Sequence, residues 1–165
     1  MSETVKPVMN IADVPLSDNA HGEAFAAKIG SFGGKIGSNM GVMLHVVEPG
    51  KKAFPFHAHH MTQELFVILE GEGTYRFGSE SYPVKAGDVL AAPTGGPEVA
   101  HQIINTGKTT LKYLGISANP TGVGDVVEYP DSGKFGVAAR FDRETGKGLR
   151  YIGRAETSLD YWDGE

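Results

Sequence analysis

Short apolar runs recur along this chain, some alternating with polar residues and some continuous. Strands are expected at 40–47, 65–70, 74–77, 81–84, 89–92, 99–104 and 110–116. Turn signals such as Glu70-Gly71-Glu72-Gly73 stand between them, and 23 glycines with nine prolines interrupt the chain too often for long helices. Short strands at this regular spacing predict an all-β sandwich or barrel. Outside this central stretch the pattern is weaker. Residues 17–27 read as a short turn or helix, while 23–29 read equally well as a strand. The glycine-rich stretch 30–37 lacks the Gly-Lys-Ser/Thr ending of a phosphate loop and reads as a turn. Residues 118–165 alternate turn signals with short apolar runs and are expected to form added strands or an arm.

Composition narrows the picture. At 165 residues, with 40% hydrophobic and 21% charged residues, the chain is expected to fold as one domain, 1–165, with a barrel core at about 39–117 and arms at 1–38 and 118–165. The absence of cysteine excludes disulfides, thiolate metal sites and a cysteine nucleophile. No leader-like or membrane-spanning run is visible, so a cytoplasmic address is expected. A net charge of −5 argues against nucleic acid and anionic membranes as partners.

The chemistry concentrates at His57-Ala58-His59-His60 and Glu64. In an extended strand, residues two apart point to one side, so His57 and His59 share a face that His60 does not. A turn after His60 would bring Glu64 to the same point, and His101, opening another strand, could deliver a third imidazole. Imidazoles with a carboxylate suit a divalent transition metal: manganese, iron, nickel or zinc. Four protein ligands on an octahedral ion would leave two positions open for chemistry.

The series His57-x-His59, four residues, Glu64, six residues, Gly71 resembles the first motif of the cupin superfamily. Gly87, five residues, Pro93-Thr94-Gly95, then His101, three residues and Asn105 resemble its second motif. The resemblance implies an all-β double-stranded β-helix, or jelly-roll barrel, with a metal held by His57, His59, Glu64 and His101. Two departures stand out. Gly50 precedes His57 by one residue more than the pattern, and Gly96-Pro97-Glu98 lengthens the turn before His101. The whole chain, including its Asp-Tyr-Trp-Asp-Gly-Glu end, resembles bacterial cupins labelled by analogy as sugar-phosphate isomerases.

Around the cluster, Gln63, Tyr75 and Arg76 are candidate substrate-binding residues. Phe66, Ile68 and Ile103 are expected to line the barrel, and His45 to be a buried, hydrogen-bonded histidine. Arg140, Arg143, Arg150 and Arg154 could clamp an anion. No catalytic acid or base is singled out. The resemblance implies a metal-dependent enzyme acting on a small oxygen-rich metabolite: an isomerase, dioxygenase or decarboxylase. The competing expectation is a non-catalytic barrel that binds or senses a metal-chelating metabolite. A homodimer is expected, because barrels of this type commonly pair and the two arms exceed what one barrel needs.

Overall fold

The computed structural model describes residues 6–118, 124–140 and 145–165, so Arg143 lies outside the described residues. Strands and short 3-10 turns make up the regular structure of the described residues. The strands are β1 (Ser17–His21), β2 (Phe25–Ser31), β3 (Gly41–Val47), β4 (Ala58–His59), β5 (Gln63–Glu70), β6 (Glu72–Phe77) and β7 (Glu80–Lys85). They continue as β8 (Val89–Ala92), β9 (His101–Ile104), β10 (Leu111–Ala118), β11 (Gly124–Tyr129), β12 (Lys134–Ala139) and β13 (Leu149–Gly153). No helix among the described residues is long and apolar enough to cross a membrane.

The strands form a jelly-roll barrel. One sheet runs β1-β2-β3-β10-β5-β8, a second β7-β6-β9, and a third β13-β12-β11-β4. Every pairing between these strands is antiparallel. Alternation on β5 sorts its residues cleanly. Phe66 and Ile68 join the inner core with Tyr75, Ile103, Leu111 and Tyr113, as expected for a barrel lining. Leu69 faces the other way, into a second cluster with Val14, Phe32 and Leu44. β3 contributes to both clusters, Val47 to one and Leu44 to the other, which explains its unbroken apolar run.

Gly71 alone separates β5 from β6 and lets the chain pass from one sheet to another. Its φ is +81°, and a Cβ there would stand 2.6 Å from the Thr110 carbonyl oxygen. Asn105, fully buried, closes another corner: its side-chain amide donates to the Val47 and Thr109 carbonyls at 2.8 and 2.9 Å.

Two sequence expectations change. Residues 17–27 form no helix: they hold β1 and the hairpin into β2, which pairs with β3. The expected strand at 99–104 begins only at His101, because Pro97–Val99 coil into a 3-10 turn that absorbs the lengthened loop. The region after 118 forms added strands, as expected, and one of them, β11, pairs with β4 beside His59. The glycine-rich stretch forms the end of β2 and a 3-10 turn, Gly33–Ile36.

Candidate metal centre

Strand parity creates the centre. Phe56 and Ala58 turn outward and are buried with Ala100 in a small apolar cluster, which leaves His57 and His59 facing inward. His57 is tied across to β9 by two backbone hydrogen bonds with His101, 3.1 and 2.7 Å long. Glu64 enters from the inward face of β5. Its Oε2 lies 3.0 Å from His101 Nε2, 3.5 Å from His59 Nε2 and 3.8 Å from His57 Nε2. Three imidazoles thus converge on one carboxylate oxygen. His57, His59 and Glu64 offer ligand atoms all within 4.8 Å of one another.

The other ring nitrogens decide which lone pairs face inward. His57 Nδ1 donates to the Pro55 carbonyl at 2.9 Å, and His59 Nδ1 to Asp125 Oδ2 at 2.6 Å. Both Nε2 atoms are therefore free to act as ligands. His101 Nδ1 is buried without a partner, while its Nε2 donates to Glu64 Oε2 at 3.0 Å, so this ring carries its proton on the nitrogen that faces the site. Three imidazoles and a carboxylate, with two of the rings locked in the ligating tautomer, fit a divalent transition metal.

Asp125 was invisible to sequence reasoning. It lies 66 residues beyond His59, and the alternation of Asp125, Val127 and Tyr129 on β11 was its one faint signal. The Val127↔His59 register brings that face to the site. The Tyr129 ring stacks 6.2 Å from that of His57, and Asp125 Oδ1 also accepts from the Met61 amide at 2.9 Å. On the opposite face, His60 turns away as parity predicts, to meet Glu128 at 2.6 Å.

Burial pushes the His57 pKa down to about 4, helped by the neighbouring His101 and His59 rings. For His59 burial acts the same way, but the hydrogen bond to Asp125 and the charge of Glu64 outweigh it and raise the pKa. Burial would likewise favour a neutral Glu64. The His101 hydrogen bond and the three imidazoles reverse this and hold the carboxyl below its usual range.

The candidate substrate-binding residues are dispersed. Tyr75 is buried, its ring 6.3 Å from that of His101, but its hydroxyl donates to the Ala91 carbonyl at 2.9 Å. Gln63 is exposed, one residue out of parity with Glu64. Arg76 points outward: it forms a bidentate pair with Asp131 at 2.7 and 2.8 Å and covers the Phe56 ring at 3.6 Å. Arg154 donates to the Ser132 carbonyl at 3.3 Å. His45 departs from expectation in one respect. It is buried, but neither ring nitrogen finds a hydrogen-bond partner, and the ring instead stacks on Tyr113 at 4.6 Å.

Comparison with known proteins agrees with this geometry. Residues 43–117 match the family described as Cupin domain. This stretch is a cupin domain. A crystal structure from Acidithiobacillus ferrooxidans, provisionally named a sugar phosphate isomerase, is similar over 94% of this chain and 96% of its own. Its TM-score is 0.79 and its identity 26%. A sugar phosphate isomerase from a cupin superfamily, from Silicibacter pomeroyi, covers 95% and 98% at TM-score 0.76 and 20% identity, which supports the fold alone. The oxalate-binding protein of Thermotoga maritima is 35% identical over 68 residues, 41% of this chain and 54% of that protein. An uncharacterised protein of Methanocaldococcus jannaschii is 36% identical over 75 residues, 46% of this chain and 57% of that protein. The matched cupin stretch thus spans little more than half of each of these two relatives.

Proposed function

We propose that this cupin is a metal-dependent enzyme acting on a small oxygen-rich metabolite, with a sugar phosphate as the leading substrate class. The observation that carries the reading is the convergence of three imidazole Nε2 atoms on Glu64 Oε2. His57, His59, Glu64 and His101 are the four ligands in this reading. A divalent ion held there would supply Lewis-acid polarisation of a carbonyl or hydroxyl pair. The chain's own residues do the rest. Pro55 and Asp125 keep two imidazoles in the ligating tautomer, and Glu64 stays ionised. The Phe66 ring packs 5.6 Å from that of His101 on the barrel side. The substrate class rests on the name carried by the Acidithiobacillus structure, which matches nearly the full chain.

One observation favours the second reading, a non-catalytic barrel that binds a metal-chelating metabolite. The Tyr75 hydroxyl, on a ring 6.3 Å from that of His101, is already committed to the Ala91 carbonyl. The relative from Thermotoga is itself named for binding, not turnover.

The test is to load purified protein separately with manganese, iron, nickel and zinc and measure bound metal. Each form is then assayed for isomerisation of sugar phosphates and for turnover of small dicarboxylates. One ion per chain with turnover in one metal form supports the enzyme. Tight substrate binding without turnover selects the second reading, and failure to bind any of the metals overturns both.

A further inference from the structure

A cleft of about 440 Å³ is lined by the 53–56 segment together with residues of β1, β2 and β12. Phe25 and Phe54 give it aromatic lining, and Lys52 and Lys134 belong to the same lining. Its carboxylate, Asp131, is neutralised by the bidentate pair with Arg76, so the two lysines leave the cleft cationic. Aromatic surface beneath positive charge suits a ligand that is itself aromatic and anionic.

The chain carries such a ligand. Segment 158–165 reads Ser-Leu-Asp-Tyr-Trp-Asp-Gly-Glu, with three acidic residues and no basic one. Leu159, Tyr161 and Trp162 are 76%, 83% and 71% exposed, an unusual cluster of large apolar groups in water. The segment is nonetheless ordered into a compact turn. Asp160 Oδ1 accepts from the Trp162 amide at 3.0 Å, and the Asp160 carbonyl accepts from the Asp163 amide at 3.1 Å. The Tyr161 and Trp162 rings meet edge to face at 4.8 Å and form one presented wedge. Arg154, four residues before the segment, bonds the carbonyl of Ser132, a residue of the cleft lining, while Ser158 and Leu159 lie beside Phe135 and Tyr151. The segment is absent from the lining of its own cleft.

We propose that residues 158–165 of one copy fill the cleft of a second copy, and that the exchange is reciprocal across a two-fold axis. Arg154 ties the chain ahead of each tail to the lining of its own cleft, so two clefts brought together at the axis put each tail within short reach of the other's. Two aromatic side chains per tail, at roughly 150–250 Å² each, would bury about 600–1,000 Å² of tail surface over the two tails. Asp160 and Asp163 would then face Lys52 and Lys134. The proposal does not depend on the metal reading.

Trp162 is the only tryptophan, so its fluorescence reports the tail directly. At micromolar concentration the full chain is expected to run as a dimer of 17.6 kDa protomers, with Trp162 emission shifted to the blue. Dilution should shift the emission back to the red in step with dissociation. The variant K52E/K134E should weaken the dimer at least about tenfold, as two like-charge contacts replace attraction, and adding D160K/D163K should restore it. Y161A/W162A alters only exposed side chains, leaves the barrel's melting unchanged and should give a monomer. Three results would each overturn the proposal. The first is a monomer throughout, and the second is blue-shifted emission that ignores dilution, which means the tail fills its own cleft. The third is a dimer that survives both variants, which means another face pairs.

Discussion

His45 and His101 are almost equally buried, 2% and 3% exposed, on inward faces of the same barrel. They have nothing else in common. His101 faces a carboxylate 3.0 Å away and two further imidazoles, whereas His45 lies among Tyr113 and Phe54 with both nitrogens unpaired. Gly115 makes room for it: a Cβ there would meet His45 Cε1 at 2.9 Å. Burial alone thus makes a histidine neutral and inert. What sets the His101 position apart is the carboxylate within reach and the two further imidazoles around it. The predictions below test that contrast.

The largest effect is expected at the ligands. His59→Ala should lower metal affinity by more than about 100-fold, beyond the loss typical of supporting residues. The barrel should stay folded, because its core is apolar and independent of the ion. Calorimetric metal titration and a thermal melt check both halves. Metal occupancy in the native protein should fall below about pH 6 as protons compete for the imidazoles.

Next comes His45, whose pKa burial pushes down to about 4. Below about pH 6.5 the unfolded chain takes up a proton there that the folded protein refuses. Stability in the metal-free state should therefore fall with pH by up to about 3 kcal/mol, and this contribution should level off once the folded form titrates near pH 4. Urea unfolding across that range measures it, and His45→Leu should flatten the slope by removing this group. An unchanged slope would mean that His45 is not the group refusing the proton.

Asp125→Asn should cost about 10–100-fold in metal affinity at neutral pH, since it loosens the His59 ring without removing a ligand. The gap from the native protein should narrow in acid, because the variant also loses the carboxylate that raises the His59 pKa. The smallest effect is expected at Arg76→Ala, which removes a half-exposed ion pair and a ring contact behind the site. Its cost should not exceed about 1 kcal/mol, with metal binding unaffected.

Much of this was legible in the sequence. The strand at Val89–Ala92 falls where the apolar pattern puts it, and His57, His59, Glu64 and His101 meet as their spacing implies. What was hidden had physical reasons. β1 reads Ser-Asp-Asn-Ala-His and is exposed along its length, so it carries no hydrophobic alternation to detect. Pro97 favours a 3-10 turn over extension, which delays β9. Asp125 acts across a strand pairing of long sequence separation, and local pattern holds no record of such a partner. The Arg76 side chain is claimed by Asp131, 55 residues away, for the same reason.

The pairing of β11 with β4 also sets an order of assembly. The two-residue strand that carries His59 pairs only with β11 in the sheets described above. On the ribosome, the cupin stretch through residue 117 leaves the exit tunnel before β11 does. At roughly 5–20 residues per second, that leaves an interval on the order of seconds. In that interval His57 can already bridge to His101, while His59 waits without Asp125. The His59 ring gains its Asp125 partner only once β11 has paired with β4, so the metal affinity of the nascent chain is expected to rise at that point.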